Sequence, residues 1–176
     1  MELLLNLLDF VMHIDKYLVP IIEIYGTWTY LILFSIIFSE TGFVVTPFLP
    51  GDSLLFFAGA LGAAGSLNLK LLILVFIAAA IAGNTLNYTI GKIAGLKISR
   101  QNRFMKKEYL DKTHLFYKTY GGKTIIVSRF LPVIRTFAPF VAGICEMPFQ
   151  RFILFNSIGG ALWVLVFTLS GYAFGN

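Results

Sequence analysis

Two long apolar stretches of this 176-residue chain cannot be continuous helices. They are ETGFVVTPFLPGDSLLFFAGALGAAG, from Glu40 to Gly65, and GGKTIIVSRFLPVIRTFAPFVAGICEM, from Gly121 to Met147. Each is interrupted near its middle by proline and by charge. Proline removes a backbone donor and clashes with the preceding turn, so a helix breaks there. Each half is then roughly 10–15 Å of helix, enough to reach the middle of a bilayer and no further. The economical reading is a re-entrant hairpin, down to the centre and back to the same side. Broken backbone at that depth survives only where protein buries it or water reaches it. Pro47, Pro50, Gly51, Pro132 and Pro139 are the candidate apex residues.

The bilayer in that reading follows from composition. Apolar residues make up 57% of the chain and charged ones 13%, with a mean hydropathy of +0.80. A soluble domain carries about a quarter charged residues to keep its surface wetted, so most of this surface faces something other than water. Eighteen Phe and eight Tyr fit lipid-facing and interfacial packing. The single cysteine, Cys145, rules out an internal disulfide. The net charge of +5 comes mostly from one block, Lys92 to Lys123, with nine Lys or Arg against Glu108 and Asp111. Beside apolar spans, such a block reads as a cytoplasmic loop in contact with anionic headgroups, not as a nucleic-acid site.

Around the hairpins the chain reads as one all-α integral membrane domain over residues 1–176. The start, MELLLNLLDFVMHIDK, has no basic n-region and no cleavage site, so it is not a signal peptide. Glu2, Asn6, Asp9, His13 and Lys16 share one face, which predicts an amphipathic interfacial helix. Full spans are expected from about Ile21 to Ser39, Leu67 to Gly91 and Phe152 to Phe174. Met105, Tyr109, Phe116 and Tyr120 predict a second interfacial helix in the basic loop, which also holds His114. With residues 92–123 inside, the first hairpin enters from outside and the second from the cytoplasm. Leu49-Pro50 with Ala58-Gly59 and Leu131-Pro132 with Ala142-Gly143 form a weak internal repeat. Opposed orientations of that kind make an inverted repeat whose hairpins meet near the midplane.

Four ionisable residues fall at membrane depth: Glu40 and Asp52 in the first hairpin, Arg129 and Arg135 in the second. A lone charge at the bilayer centre costs about 2.5–3.5 kcal/mol on insertion scales. Two of each sign facing one another offset that cost and offer a site. Arg stays ionised and its planar fork matches phosphate oxygens. Asp52 and Ser53 follow the Pro50-Gly51 break, where a half-helix begins and its free amides favour an anion. Thr41, Thr46 and Thr136 either donate to substrate or satisfy hairpin backbone. Glu40 and Asp52 can take up protons when desolvated, while a neighbouring Arg opposes it. The bland alternative is a set of static salt bridges. Gly83, Asn87, Gly91 and Gly95, with Asn84 and Tyr88 beside them, read as a packing face, as do Asn156 and Gly160, and Trp163 reads as a packing residue.

The strings E-T-G, F-L-P-G-D-S-L-L and S-R-F-L-P-V-I-R-T-x-x-P-x-x-A-G resemble the signature motifs of the DedA family of bacterial inner-membrane proteins, related to eukaryotic VTT-domain scramblases. The resemblance covers nearly the whole chain. It implies that Glu40, Asp52, Arg129 and Arg135 match acids and arginines the family requires. It also implies a multi-pass protein of the cytoplasmic membrane, in lipid homeostasis, translocating undecaprenyl phosphate or a phospholipid under the proton gradient. Where the family often has G-D, this chain has Gly83-Asn84, so a carboxylate role is absent there. Family members continue into a further apolar helix beyond the point where this sequence stops.

The expected activity is therefore carriage of an anionic lipid, with Arg129, Arg135, Ser53 and Thr136 binding substrate and Glu40 and Asp52 coupling protons. Membrane lipids, a phosphate-headed substrate and protons are the expected partners, with no nucleic acid, cofactor or metal, and a second copy of the chain is a candidate partner. A proton-coupled exchanger of a small ion or osmolyte could use the same four charges. An intramembrane enzyme such as a lipid phosphatase is disfavoured, because no His–carboxylate cluster falls within the spans.

Overall fold

The computed structural model describes residues 24–43, 51–101 and 121–175, and the regular structure among them is all helical. A 3-10 turn, Gly26–Trp28, leads into α1 (Thr29–Gly42). α2 is Gly51–Ala63, α3 Leu69–Gln101, α4 residues 121–128, α5 Pro132–Ile144 and α6 Phe149–Gly175. The expected amphipathic helix with His13, the interfacial face in the basic loop with His114, and Thr46, Pro47 and Pro50 lie outside the described residues.

Two stretches are long and apolar enough to cross a membrane: Leu69–Gly95 in α3 and Phe149–Gly175, each 27 residues with mean hydropathies of 2.1 and 2.0. The other helices are shorter. α1 has 14 residues and α2 and α5 have 13 each, about 20 Å against a hydrocarbon core of about 30 Å. This corrects the expected span from Ile21 to Ser39. Within the described residues that segment is helical at Ile24 and Tyr25, turns at Gly26–Trp28 with Gly26 at φ 49°, and continues as a short helix through Glu40 to Gly42. Glu40 therefore ends α1 and does not begin a separate hairpin limb. Among the described residues, a short helix of 13 residues precedes a long one in each half: α2 before α3 and α5 before α6.

Side-chain contacts fix the direction of each limb. The Tyr30 hydroxyl near the start of α1 accepts from the Asn68 amide at 2.7 Å, just before α3 begins. Thr41 and Gly42, at the other end of α1, press against Gly83 part-way along α3. α2 starts against Glu40 and leads back to the turn before α3. In the second half, Ile126 of α4 lies on Gly159 of α6. α5 then returns along the later part of α3, with Phe140 on Gly91 and Ile144 on Gly95. There the Tyr88 hydroxyl donates to the Met147 carbonyl at 2.5 Å.

The halves are locked crosswise. Among the described residues α2 packs extensively on α6 and α5 on α3, and small residues make both pairs close. A Cβ on Gly59 or Gly171 would fall onto the carbonyl of Thr168 or Phe56, and one on Gly143 or Gly91 onto that of Tyr88 or Phe140. The Ala-Gly pairs of the sequence repeat are thus points of backbone contact, with Ala58 and Ala142 buried beside them. Gly143→Ala is expected to lower stability by about 1–3 kcal/mol through overpacking. Gly62→Ala should not, since its Cβ meets only ordinary contacts at 3.6–3.8 Å. Thermal unfolding in detergent compares the two, and equal melting temperatures would refute the close-contact account.

The polarity of the packing is the reverse of a soluble bundle. α6 buries Asn156, Trp163 and Thr168 and exposes Leu154, Ile158, Leu162, Val166 and Leu169. Leu33, Ile37, Leu55, Leu72, Phe76 and Trp163 belong to one buried cluster, and Tyr88, Ile125 and Phe152 to a second. The expectation that Pro139 marks an apex is overturned. It lies inside α5, and the break is at residues 129–131, with Pro132 opening α5 where no amide is needed. Pro139 has no amide to offer the Arg135 carbonyl one turn back.

Candidate functional site

The breaks in the two halves meet. Glu40 comes from the last turn of α1, Asp52 from the first turn of α2, Arg129 from the turn after α4 and Arg135 from the first half of α5. Glu40, Arg129 and Arg135 are almost fully buried, at 2%, 2% and 8% exposure. Asp52 is the least buried of the four, with a side-chain exposure of 32%.

The four charges do not pair two by two. Arg135 takes both acids: Nη1 donates to Asp52 Oδ1 at 2.6 Å and Nη2 to Glu40 Oε1. Arg129 has no carboxylate partner among the described residues. Its Nη2 donates to Asn156 Oδ1 at 2.5 Å and, at 3.4 Å, to the Ala80 carbonyl. Asn84 faces the same nitrogen. In the amide orientation that satisfies both its ends, Asn84 Oδ1 accepts from Arg129 at 2.7 Å and Nδ2 donates to the Thr41 carbonyl at 3.2 Å. All these bonds run through Nη2, so Nε and Nη1 have no acceptor among the described residues.

Trp163, fully buried, is part of this site and is more than the packing residue expected from sequence. Its Nε1 donates to Asp52 Oδ1 at 2.8 Å, and its ring lies 5.2 Å from the Arg135 guanidinium carbon and 6.0 Å from that of Arg129. The expected anion seat at the start of α2 is already filled. The Gly51 amide donates to Glu40 Oε1 at 3.3 Å, and a Cβ on Gly51 would collide with Glu40 Oε2. Glycine is required there because the carboxylate occupies the space a side chain would take. Oε2 itself is buried without a hydrogen-bond partner among the described residues.

The remaining expected residues divide. Thr136 is buried and lines the cleft with Glu40, Thr41, Asn84, Arg129, Arg135 and Trp163. Ser53 stands half-buried beside Asp52 in the first turn of α2, apart from that lining. The Thr41 hydroxyl bonds the Ile37 carbonyl at 2.8 Å and so serves the backbone. Asn87 pins both halves: its Nδ2 donates to the Thr136 carbonyl at 2.8 Å and to the Thr41 carbonyl at 3.3 Å.

The VTT domain profile matches residues 49–173. The chain is 51% identical to Protein DedA of Escherichia coli K12 over 179 aligned residues, covering 99% of this chain and 82% of that protein. This chain belongs to the DedA family. It is also 38% identical to "Uncharacterized membrane protein ML0287" of Mycobacterium leprae, over 80% of this chain and 64% of that protein. It is 35% identical to Inner membrane protein YqjA of Escherichia coli K12, over 83% and 67%. No solved structure matches. With two helices long and apolar enough to cross a membrane and relatives named as membrane proteins, this DedA-family chain is a membrane protein. The residues that sequence reading left out of its site, Asn84, Asn156 and Trp163, carried one signal. They are polar or amphipathic groups inside apolar spans, where an unpartnered polar group is costly.

Proposed function

We propose that this DedA-family protein carries a phosphate-headed lipid across the membrane, with protons coupled to the movement. The observation that carries this reading is Arg129: a buried guanidinium held on one edge by neutral amides, with no carboxylate of its own among the described residues. A guanidinium with a free edge of that kind can donate to an anion's oxygens, and its planar fork suits phosphate. Around it the chain exposes Val127, Phe130, Leu131, Ile134 and Phe137, so an ionic inner face and an apolar outer face lie within a few residues. An acyl or isoprenoid chain fits the second while its headgroup reaches the first. This apolar surround favours a lipid over a small ion, and the protein is a carrier in this reading, not an enzyme.

The contact pattern supports two hairpins that enter from opposite faces and meet at mid-depth, as an inverted repeat requires. The basic end of α3 then faces the cytoplasm under the positive-inside rule. Reconstitution into vesicles and measurement of transfer of undecaprenyl phosphate beside phosphatidylethanolamine tests the activity. Transfer of at least one, lost in Arg129→Gln, is the expected result. Transfer of neither, with flux of a small ion, would replace the lipid reading by the exchanger.

A further inference from the structure

The carboxylate of Glu40 sits where an anion should. It accepts from Arg135 and from the Gly51 amide at the start of α2, and its Oε2 is pressed against Gly51 with no hydrogen-bond partner. A guanidinium and a helix N-terminal amide are the donors an anionic headgroup seeks. We infer that Glu40 is a built-in competitor of the transported anion, holding the headgroup's place at Arg135 and Gly51 and leaving it when it takes up a proton. The inference deepens the anionic-lipid reading and rests on it.

Charge balance gives the physical reason. Every charged or titratable group facing Glu40 among the described residues comes from the neighbouring helices: Asp52 from α2, Arg135 from α5 and, across the cleft, Arg129 after α4; α3 and α6 contribute only neutral Asn84 and Trp163. With both acids and both arginines ionised the cluster is neutral, and a monoanion would leave one buried negative charge uncompensated. Charges in such a place are tolerated only when paired. If one proton from the aqueous phase binds a Glu40 carboxylate oxygen, the cluster becomes +1 and the monoanion restores neutrality. The neutral carboxyl also no longer competes for Arg135. Headgroup and proton then enter as a pair, and each raises the affinity for the other, because coupling of two binding events is reciprocal.

The test uses the purified protein in detergent and dihexanoyl phosphatidylglycerol, a phosphodiester whose single charge does not titrate near neutral pH. Calorimetry in buffers of different ionisation enthalpy reads both affinity and proton uptake. Wild-type affinity should rise as pH falls, by up to about tenfold per pH unit, with about one proton taken up per anion. Glu40→Gln should bind independently of pH, at least as tightly as wild type at the acid end, with no proton uptake. Should that variant fail to fold, Glu40→Asp decides: its shorter carboxylate draws back from the Gly51 amide, so affinity at neutral pH must rise and the pH dependence weaken, and a wild-type profile there would overturn the assignment to Glu40. Wild-type binding without proton uptake, or a Glu40→Gln variant with the wild-type pH profile, sinks the inference and leaves the lipid reading standing. No binding by wild type at any pH removes both.

Discussion

Arg135→Met is expected to destabilise the protein by about 3–5 kcal/mol, the cost of leaving a buried ionic partner unpaired. Among the described residues Arg135 is the cation that holds Glu40 and Asp52 together, and it ties α5 to both α1 and α2. Methionine keeps much of the volume and removes the charge, so the loss reports the carboxylates left behind more than a cavity. The same logic predicts the remedy. Adding Glu40→Gln and Asp52→Asn removes the stranded charges, and the triple variant should recover most of the lost stability while losing substrate binding. Thermal or denaturant unfolding of the wild type, Arg135→Met and the triple variant in one detergent measures it. If Arg135→Met unfolds at the wild-type temperature, the three-way bridge does not hold the two halves of the chain together.

Arg129→Lys should do the opposite: small change in stability, large change in binding. The partners of Arg129 are neutral acceptors, Asn156, Asn84 and the Ala80 carbonyl, and an ammonium can still be solvated by some of them. What lysine loses is the planar fork whose Nε and Nη1 edge is turned to no protein acceptor among the described residues. Hydrogen bonds to charged groups are worth about 1.5–3 kcal/mol, so loss of one should weaken a phosphate-headed lipid by roughly ten- to a hundredfold. Affinity and melting temperature measured side by side decide it. Full affinity with a large fall in stability would make Arg129 a structural residue and remove the observation on which the lipid reading rests. Together the two variants separate the arginines: Arg135 holds the two carboxylates, and Arg129 offers an edge free of protein acceptors among the described residues.

Much of this was legible in the sequence, because solvent transfer acts on each residue almost independently of its neighbours. Composition alone requires a membrane, proline and charge inside apolar stretches require broken helices, and four charges at membrane depth require one another. Those inferences led to Glu40, Asp52, Arg129 and Arg135 as one cluster, which the tertiary contacts bring together. The sequence also marked Ala58-Gly59 and Ala142-Gly143, which became the close helix contacts. It misjudged the extent of the first span, because a run of apolar residues has the same period whether its helix crosses the bilayer or stops at Gly42. It misread Pro139 for the related reason that a proline inside a helix and one at its start look alike when only residue type is known. Only the tertiary structure decided how the charges divide. Which acid faces which arginine depends on contacts between residues 83 and 95 positions apart, and no local pattern encodes them. Nor could local pattern show that Asn84, Asn156 and Trp163 close around the arginines, or that Glu40 fills the start of α2. Those facts are set by crosswise packing of helices at glycine contacts. The sequence states which groups must find partners in a medium without water, and the fold alone selects the partners.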